Sequence, residues 1–105
     1  MYEACNRILR YIQNIDKSAF MTNEEKQDAV VHNLEIIGEA VKKLSEQLKN
    51  KYPEIHWRNI SRTRDKLIHH YFGIDYDIVW DIIANDIPKL KAQIEQIIEG
   101  LPNYF

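Results

Sequence analysis

The stretch "RDKLIHHYF" at residues 64–72 brings together residue types that suit phosphodiester chemistry. It contains Arg64, His69 and Tyr71 at the spacing Arg-x4-His-x-Tyr. An imidazole titrates near neutral pH and can move a proton to or from a ribose hydroxyl, and a guanidinium offers two donors to phosphate oxygens as charge builds. Because this chemistry needs no metal ion, Arg64 and His69 are the first candidates for catalytic residues.

Helical geometry places Arg64 at the centre of an apolar arc. At 100° per residue, the arc also contains Leu67, Ile68, Tyr71 and Phe72. An arginine in such an arc is rarely buried without a partner. We therefore expect Arg64 either to pair with an acid or to face a cleft in which water or an anion meets it.

The other polar residues of the stretch lie beside or opposite this arc. Asp65 and His69 are four residues apart on its flank, where the carboxylate can hold the imidazole. Lys66 and His70 are predicted to point toward solvent. Arg64 and His69 lie about 7.5 Å apart along the helix axis and point about 140° apart, so one helix holds them poorly around one phosphate. Two copies of the helix facing each other would hold them better.

Each of these residues also has an ordinary structural explanation. Arg64 alone is typical of half a salt bridge, His69 of a helix-surface histidine, and Tyr71 of a core aromatic residue. The combination is much rarer than any of its members, which favours a functional site. We expect no metal and no cofactor, since His69 and His70 diverge on the helix and the single cysteine, Cys5, belongs to another helix.

Composition and charge limit the classes of protein to which the chain can belong. It has 105 residues, of which 45 % are hydrophobic, with three glycines and three prolines, and this predicts one all-α domain over residues 1–105. The net charge is −2, yet residues 51–70 contain five Lys or Arg against two Asp or Glu. This basic window is either a solvated helix face or a nucleic-acid patch. Its candidates for RNA contact are Arg58, Arg62, Lys66 and His70.

No segment of the sequence is typical of a membrane span or a signal peptide. No apolar run reaches the ~20 residues of a membrane span, and the N-terminal stretch contains polar residues throughout. The single cysteine excludes an internal disulfide framework. Together these features predict a cytoplasmic protein without membrane contact.

Apolar periodicity predicts two helices in the first half of the chain. The first covers residues 2–16, and the second runs from a capping box at Thr22 and Glu25 to about Lys49. Gly38 lies inside the second helix, where a close approach by another helix would explain it.

Two further helices are predicted after the break at Pro53. Ser61 or Thr63 caps the helix that carries the motif, and Gly73 ends it. The last helix begins at Asp75 or Asp77, is kinked by Pro88 and stops at Gly100.

Several stretches, in matching order and spacing, resemble the HepT-like ribonuclease toxins of the HEPN superfamily. They are "RIL" near the N-terminus, "IGEA" at 37–40, "YPEIHW" at 52–57, "RDKLIHHY" at 64–71, and "IVWDII" and "DIPKL" in the last helix. The resemblance covers most of the chain. It implies an up-and-down bundle of four to five helices that forms a homodimer, with the Arg-x4-His motifs of both protomers lining one cleft.

The resemblance also implies an activity and a partner. Arg64 and His69 would carry metal-independent cleavage of RNA, with Asp65 in support. The partner would be an antitoxin of the minimal nucleotidyltransferase type, which in related systems transfers AMP to the tyrosine that matches Tyr71.

Two positions depart from the family pattern. Members usually have a glycine two positions before the motif arginine and an acidic residue between the histidine and the tyrosine, where this chain has Arg62 and His70. Both changes make the rim of the cleft more positive.

An alternative function is that of a non-catalytic HEPN subunit that serves a nucleotidyltransferase in dimerisation or substrate presentation. A third is a structural helical protein whose motif only stabilises a dimer.

Overall fold

A computed structural model describes residues 1–69 and 73–100, with all their side chains except those of residues 68 and 69. Within these residues the chain forms helices and no strands, which confirms the predicted all-α fold. The elements, in chain order, are α1 (Tyr2–Tyr11), α2 (Lys17–Met21), α3 (Glu24–Lys43), α4 (Glu46–Lys51), α5 (Trp57–His69), α6 (Tyr76–Asp81), a π-helical turn (Ile82–Asp86) and α7 (Ile87–Glu99).

The core of the bundle is built on α3. This helix packs against α1 on one side and α5 on the other, and α1 in turn packs against α7. The α3 residues at the predicted apolar spacing, Val30, Leu34, Ile37 and Val41, are all buried. They meet buried side chains of the neighbouring helices, which include Cys5, Ile8, Ile83, Ile87, Leu90 and Ile94. None of the described helices is both long enough and apolar enough to cross a membrane.

The first helix is shorter than its apolar spacing predicts. It ends at Tyr11 rather than at residue 16, and Asn14 adopts a left-handed conformation with a φ of 64°. The following segment forms α2, because the Asp16 side chain accepts a hydrogen bond from the Ala19 amide at 2.8 Å. Apolar residues beyond Tyr11 therefore keep a helical spacing in a region where the chain turns.

The bounds predicted for the second helix are wrong at both ends, and the structure shows α3 over Glu24–Lys43. Its N-cap is Asn23, whose side chain accepts from the Lys26 amide at 3.1 Å, while the Thr22 hydroxyl donates back to carbonyls of α2. The helix ends at Lys43 rather than Lys49, since Leu44 is extended with a ψ of 144°. Ser45 then caps the separate helix α4, so the capping side chains, and not the apolar spacing, set these boundaries.

Helix α5 is longer than predicted because it begins at Trp57. The Trp57 indole donates to the carbonyls of Lys49 and Tyr52, at 3.2 and 3.1 Å, which fixes the connection after α4. The predicted caps Ser61 and Thr63 are wrong, since both lie inside the helix. As a result, the basic residues that precede the motif belong to the same helix as the motif itself.

The C-terminal helical segment begins and ends where predicted, and it contains a π-helical turn before Pro88. Asp75 is the N-cap of α6, and its side chain accepts from the amides of Asp77 and Ile78 at 3.0 and 3.4 Å. Upstream of Pro88 the helix widens into the π-helical turn, in which the Ile87 amide donates to the carbonyl of Ile82. A wider turn is one way in which a helix absorbs a proline. Gly100 is the C-cap of α7, as predicted.

Candidate active site

Arg64 lies at the point where α5 crosses α3, directly over Gly38. A Cβ atom added to Gly38 would be 2.1 Å from the Arg64 Cβ and 2.6 Å from its Cγ. The predicted close approach at Gly38 is therefore confirmed, and the approaching residue is the motif arginine. The absence of a side chain on α3 leaves room for the stem of Arg64 between the two helices.

The guanidinium of Arg64 is largely buried and only partly paired. Its side chain is 25 % exposed, and its Nη1 lies 3.5 Å from Oδ1 of Asp65. Its Nε is fully buried and, within the described part of the chain, has no hydrogen-bond partner. Arg64 thus has an acidic partner, Asp65, but the contact between them is long. Leaving a buried donor without an acceptor typically costs about 1–3 kcal/mol, so placing Nε here has a cost in stability. Only the exposed quarter of the side chain is accessible to an acceptor from outside the chain.

Asp65 is bound by a residue that the sequence did not single out, Lys42 of α3. The Lys42 ammonium donates to Oδ1 of Asp65, the same oxygen that faces Arg64. The hydrogen bond from Lys42 is the largest cause that holds the pKa of the Asp65 carboxyl below its usual range, and Arg64 contributes less. Asp65 was predicted to hold His69, whose side chain lies outside the described residues.

A stripe of exposed basic residues runs along the outer face of α5. It consists of Arg58, Arg62 and Lys66, which are four residues apart and so follow one another at about 6 Å along the axis. Among the described residues, none of the three forms an ion pair within 4.0 Å. Lys66 points to solvent as predicted. His69 holds the next position of this stripe in the helical register, three residues after Lys66.

The remaining candidates, His70 and Tyr71, lie outside the described residues. One further histidine, which was not a candidate, lies away from the motif. His56 is exposed and lines a cleft of about 200 Å³ between α5 and the C-terminal segment, together with Thr63 and Asp86. In the described ranges, no three His, Cys, Asp or Glu side chains come together as ligands for a metal ion.

The sequence alone did not indicate Lys42, because its contact with Asp65 depends on how α3 and α5 pack together. Lys42 is 23 residues before Asp65 in the chain. The available signal was its position one turn after Gly38, since residues four apart share a helix face and Gly38 was already expected to meet another helix.

Comparison with known proteins decides the family. A family model described as "Ribonuclease HepT-like" matches residues 1–97. The chain belongs to the HepT-like ribonuclease family. Among its relatives, a candidate RNase of Methanocaldococcus jannaschii is 46 % identical over 94 residues, which cover 90 % of this chain and 78 % of the relative.

Two further relatives support the assignment of this chain to the HepT-like ribonuclease family. A probable ribonuclease HepT of Thermococcus cleftensis is 42 % identical over 95 residues, covering 90 % of this chain and 86 % of the relative. A second candidate RNase of M. jannaschii is 40 % identical over 99 residues, covering 94 % and 82 % of the two chains. No solved structure matches the chain.

Proposed function

We propose that this HepT-like protein is an endoribonuclease toxin that cleaves RNA without a metal ion through Arg64 and His69. The observation that carries the proposal is the placement of Arg64. Its stem packs over Gly38, its side chain is 25 % exposed, and its one ion pair among the described residues is a long contact of 3.5 Å to Asp65. A scissile phosphate would accept hydrogen bonds from the exposed part of this guanidinium, for which the described residues supply only the long contact to Asp65. Arg64 would stabilise the charge that develops on the phosphate, and His69 would move the proton of the ribose 2′-hydroxyl.

The basic stripe of α5 supports RNA as the substrate. Arg58, Arg62 and Lys66 form a continuous track that leads to the position of His69. Within the described ranges these cations have no carboxylate partner. Such a run of exposed cations attracts a polyanion, although the chain as a whole carries a net charge of −2. We propose that these residues, with His70, hold the RNA backbone.

We further propose how the protein assembles and how its activity is regulated. Since Arg64 and His69 diverge on one helix, the active form is a homodimer in which the motifs of two chains share one cleft. The partner is a minimal nucleotidyltransferase antitoxin, which silences the enzyme in the cytoplasm by transferring AMP from ATP to Tyr71 with release of pyrophosphate.

The activity is tested with purified, unmodified protein and an RNA oligonucleotide in the presence of EDTA. We expect cleavage that leaves a 2′,3′-cyclic phosphate or its hydrolysis product. Arg64→Ala and His69→Ala should each lower the rate by ~10² or more. Lys43→Ala is the matched control, because Lys43 is an exposed lysine of α3 that pairs with Glu39 away from the motif.

Two results would contradict the proposal. If Arg64→Ala and His69→Ala cleaved RNA like the wild type, the activity would belong to other residues or to a contaminant. A folded wild-type protein that binds its nucleotidyltransferase but cleaves no RNA would instead support the non-catalytic HEPN subunit.

A further inference from the structure

Lys42, Asp65 and Arg64 form a group of three charges across the contact between α3 and α5. Lys42 follows Gly38 by one helical turn, so successive turns of α3 meet successive residues of α5: Gly38 meets Arg64, and Lys42 meets Asp65. Both cations face the same carboxylate oxygen, Oδ1 of Asp65. The group carries two positive charges and one negative charge.

The two cations do not share Asp65 equally. Lys42 makes a close hydrogen bond to the carboxylate, whereas Nη1 of Arg64 is 3.5 Å away. Charge-assisted hydrogen bonds between nitrogen and oxygen are about 2.7–2.9 Å long, so the contact of Arg64 is a weak one. The order of causes that lower the pKa of Asp65, with Lys42 first, agrees with this difference.

Without Lys42, the cation left to Asp65 among the described residues would be Arg64, its neighbour in the chain. Guanidinium and carboxylate form strong paired hydrogen bonds when no other group competes for them. Such a pair would neutralise the arginine and satisfy its donors within the chain. The arginine would then have less charge and fewer free donors for a phosphate.

We propose that Lys42 is a positioning residue of the RNA-cleaving site. It occupies Asp65 and so leaves the guanidinium of Arg64 available to a phosphate of the substrate. This inference rests on the proposed function. The competing explanation is an ordinary ion pair that only fastens α3 to α5.

A single and a double variant distinguish the positioning role of Lys42 from an ordinary ion pair between α3 and α5. Lys42→Met removes the competitor for Asp65, and Lys42→Met combined with Asp65→Asn also removes the carboxylate that would capture Arg64. Binding is measured with a 2′-O-methyl oligoribonucleotide, which lacks the attacking hydroxyl and remains intact. Lys42→Arg keeps the charge, and Lys43→Met removes one charge of the same helix at a site away from the motif.

We expect Lys42→Met to weaken binding about tenfold and to lower the slope of log Kd against log salt by ~0.7, which is the value for one phosphate contact to a single strand. Lys42→Arg should bind like the wild type, and the double variant should recover most of the lost affinity. Lys43→Met should change both quantities much less. A double variant that binds as poorly as Lys42→Met would overturn the proposal, because the ion pair between the helices is absent from both.

A second measurement needs no RNA. The ¹⁵N–¹H signal of the Arg64 Nε reports the pairing of its guanidinium in the free protein. It should move in Lys42→Met and return toward its wild-type position in the double variant. An unchanged signal in folded Lys42→Met would overturn the proposal. Wild-type protein that neither binds nor cleaves RNA would contradict the proposed function, and the Nε signal would still decide whether Lys42 controls the pairing of Arg64.

Discussion

At the scale of single residues, Arg64 meets two requirements at once, one from the apolar contact between the helices and one from the proposed phosphate site. Its aliphatic stem fills the contact above Gly38, while its charged end lies beside Asp65 and Lys42. An arginine can do both because its methylene groups pack as apolar surface and its planar head keeps several donors. Leucine would pack in this place but would bring no charge.

Tyr71 is the residue through which we expect the site to be switched off. Tyr71 follows Arg64 by seven residues. In an ideal helix, two positions at this spacing lie close to one line, about 10.5 Å apart along the axis. An AMP group on its hydroxyl would bring a phosphate within reach of the Arg64 guanidinium and would compete with RNA. Incubation with the proposed nucleotidyltransferase antitoxin and ATP should therefore add AMP to Tyr71, as mapped by mass spectrometry, and abolish cleavage without unfolding the protein.

Tyr71→Phe is the control for this switch, since it lacks the acceptor hydroxyl and keeps the ring. It should remain active after the same incubation. Inhibition that persists in Tyr71→Phe, or an adduct confined to another residue such as Tyr104, would contradict the prediction.

At the scale of elements, the pair of α3 and α5 determines the geometry of the site. The helices approach so closely at Gly38 that a methyl group there would overlap the Arg64 Cβ. In an exposed helix, replacing glycine by alanine is favourable by about 1 kcal/mol, so only a tight contact explains why glycine suits this position.

Gly38→Ala should lower both stability and activity. The overlap falls on atoms next to the α5 backbone, which cannot rotate away, so the helices must separate. We expect a loss of about 1–3 kcal/mol in the free energy of unfolding, measured in urea, with a fall in RNA cleavage. Gly100→Ala is the matched control, because Gly100 caps α7 with a φ of −81° that alanine adopts freely. Equal stability of Gly38→Ala and the wild type would show that the contact is looser than the structure indicates.

At the scale of the whole molecule, the basic stripe and the motif arginine lie on different sides of α5. The stripe is exposed along the outer face, whereas Arg64 is turned toward α3. A second protomer would bring an arginine from one chain toward a histidine from the other, which is the reason for proposing a shared cleft.

Subunit mixing tests this arrangement directly. Arg64→Ala protein contains His69 but no motif arginine, and His69→Ala protein contains Arg64 but no motif histidine. If one cleft takes residues from both chains, mixing the two inactive proteins under conditions of subunit exchange should restore part of the RNase activity. Sedimentation at micromolar concentration should show a dimer or an even-numbered oligomer. A strict monomer, or mixed dimers that stay inactive, would rule out the shared cleft.

The sequence by itself determined the helical class, the apolar faces and the candidate motif. The spacing of Val30, Leu34, Ile37 and Val41 predicts a buried face of α3 because helical periodicity depends only on residues a few positions apart. Other local signals narrowed the start of the last helix to Asp75 or Asp77 and indicated Gly38 as a site of close approach. These features are local, and local features can be recognised in a single chain.

Only the tertiary structure decided where helices end and which charges meet. Apolar spacing continues past Tyr11 and Lys43, yet the chain turns there because capping side chains and the next helix satisfy the free backbone groups. Likewise, nothing within the motif indicates that Lys42 binds Asp65. That contact joins residues 23 positions apart, and it exists because α3 and α5 pack closely enough at Gly38 to bring the two side chains together.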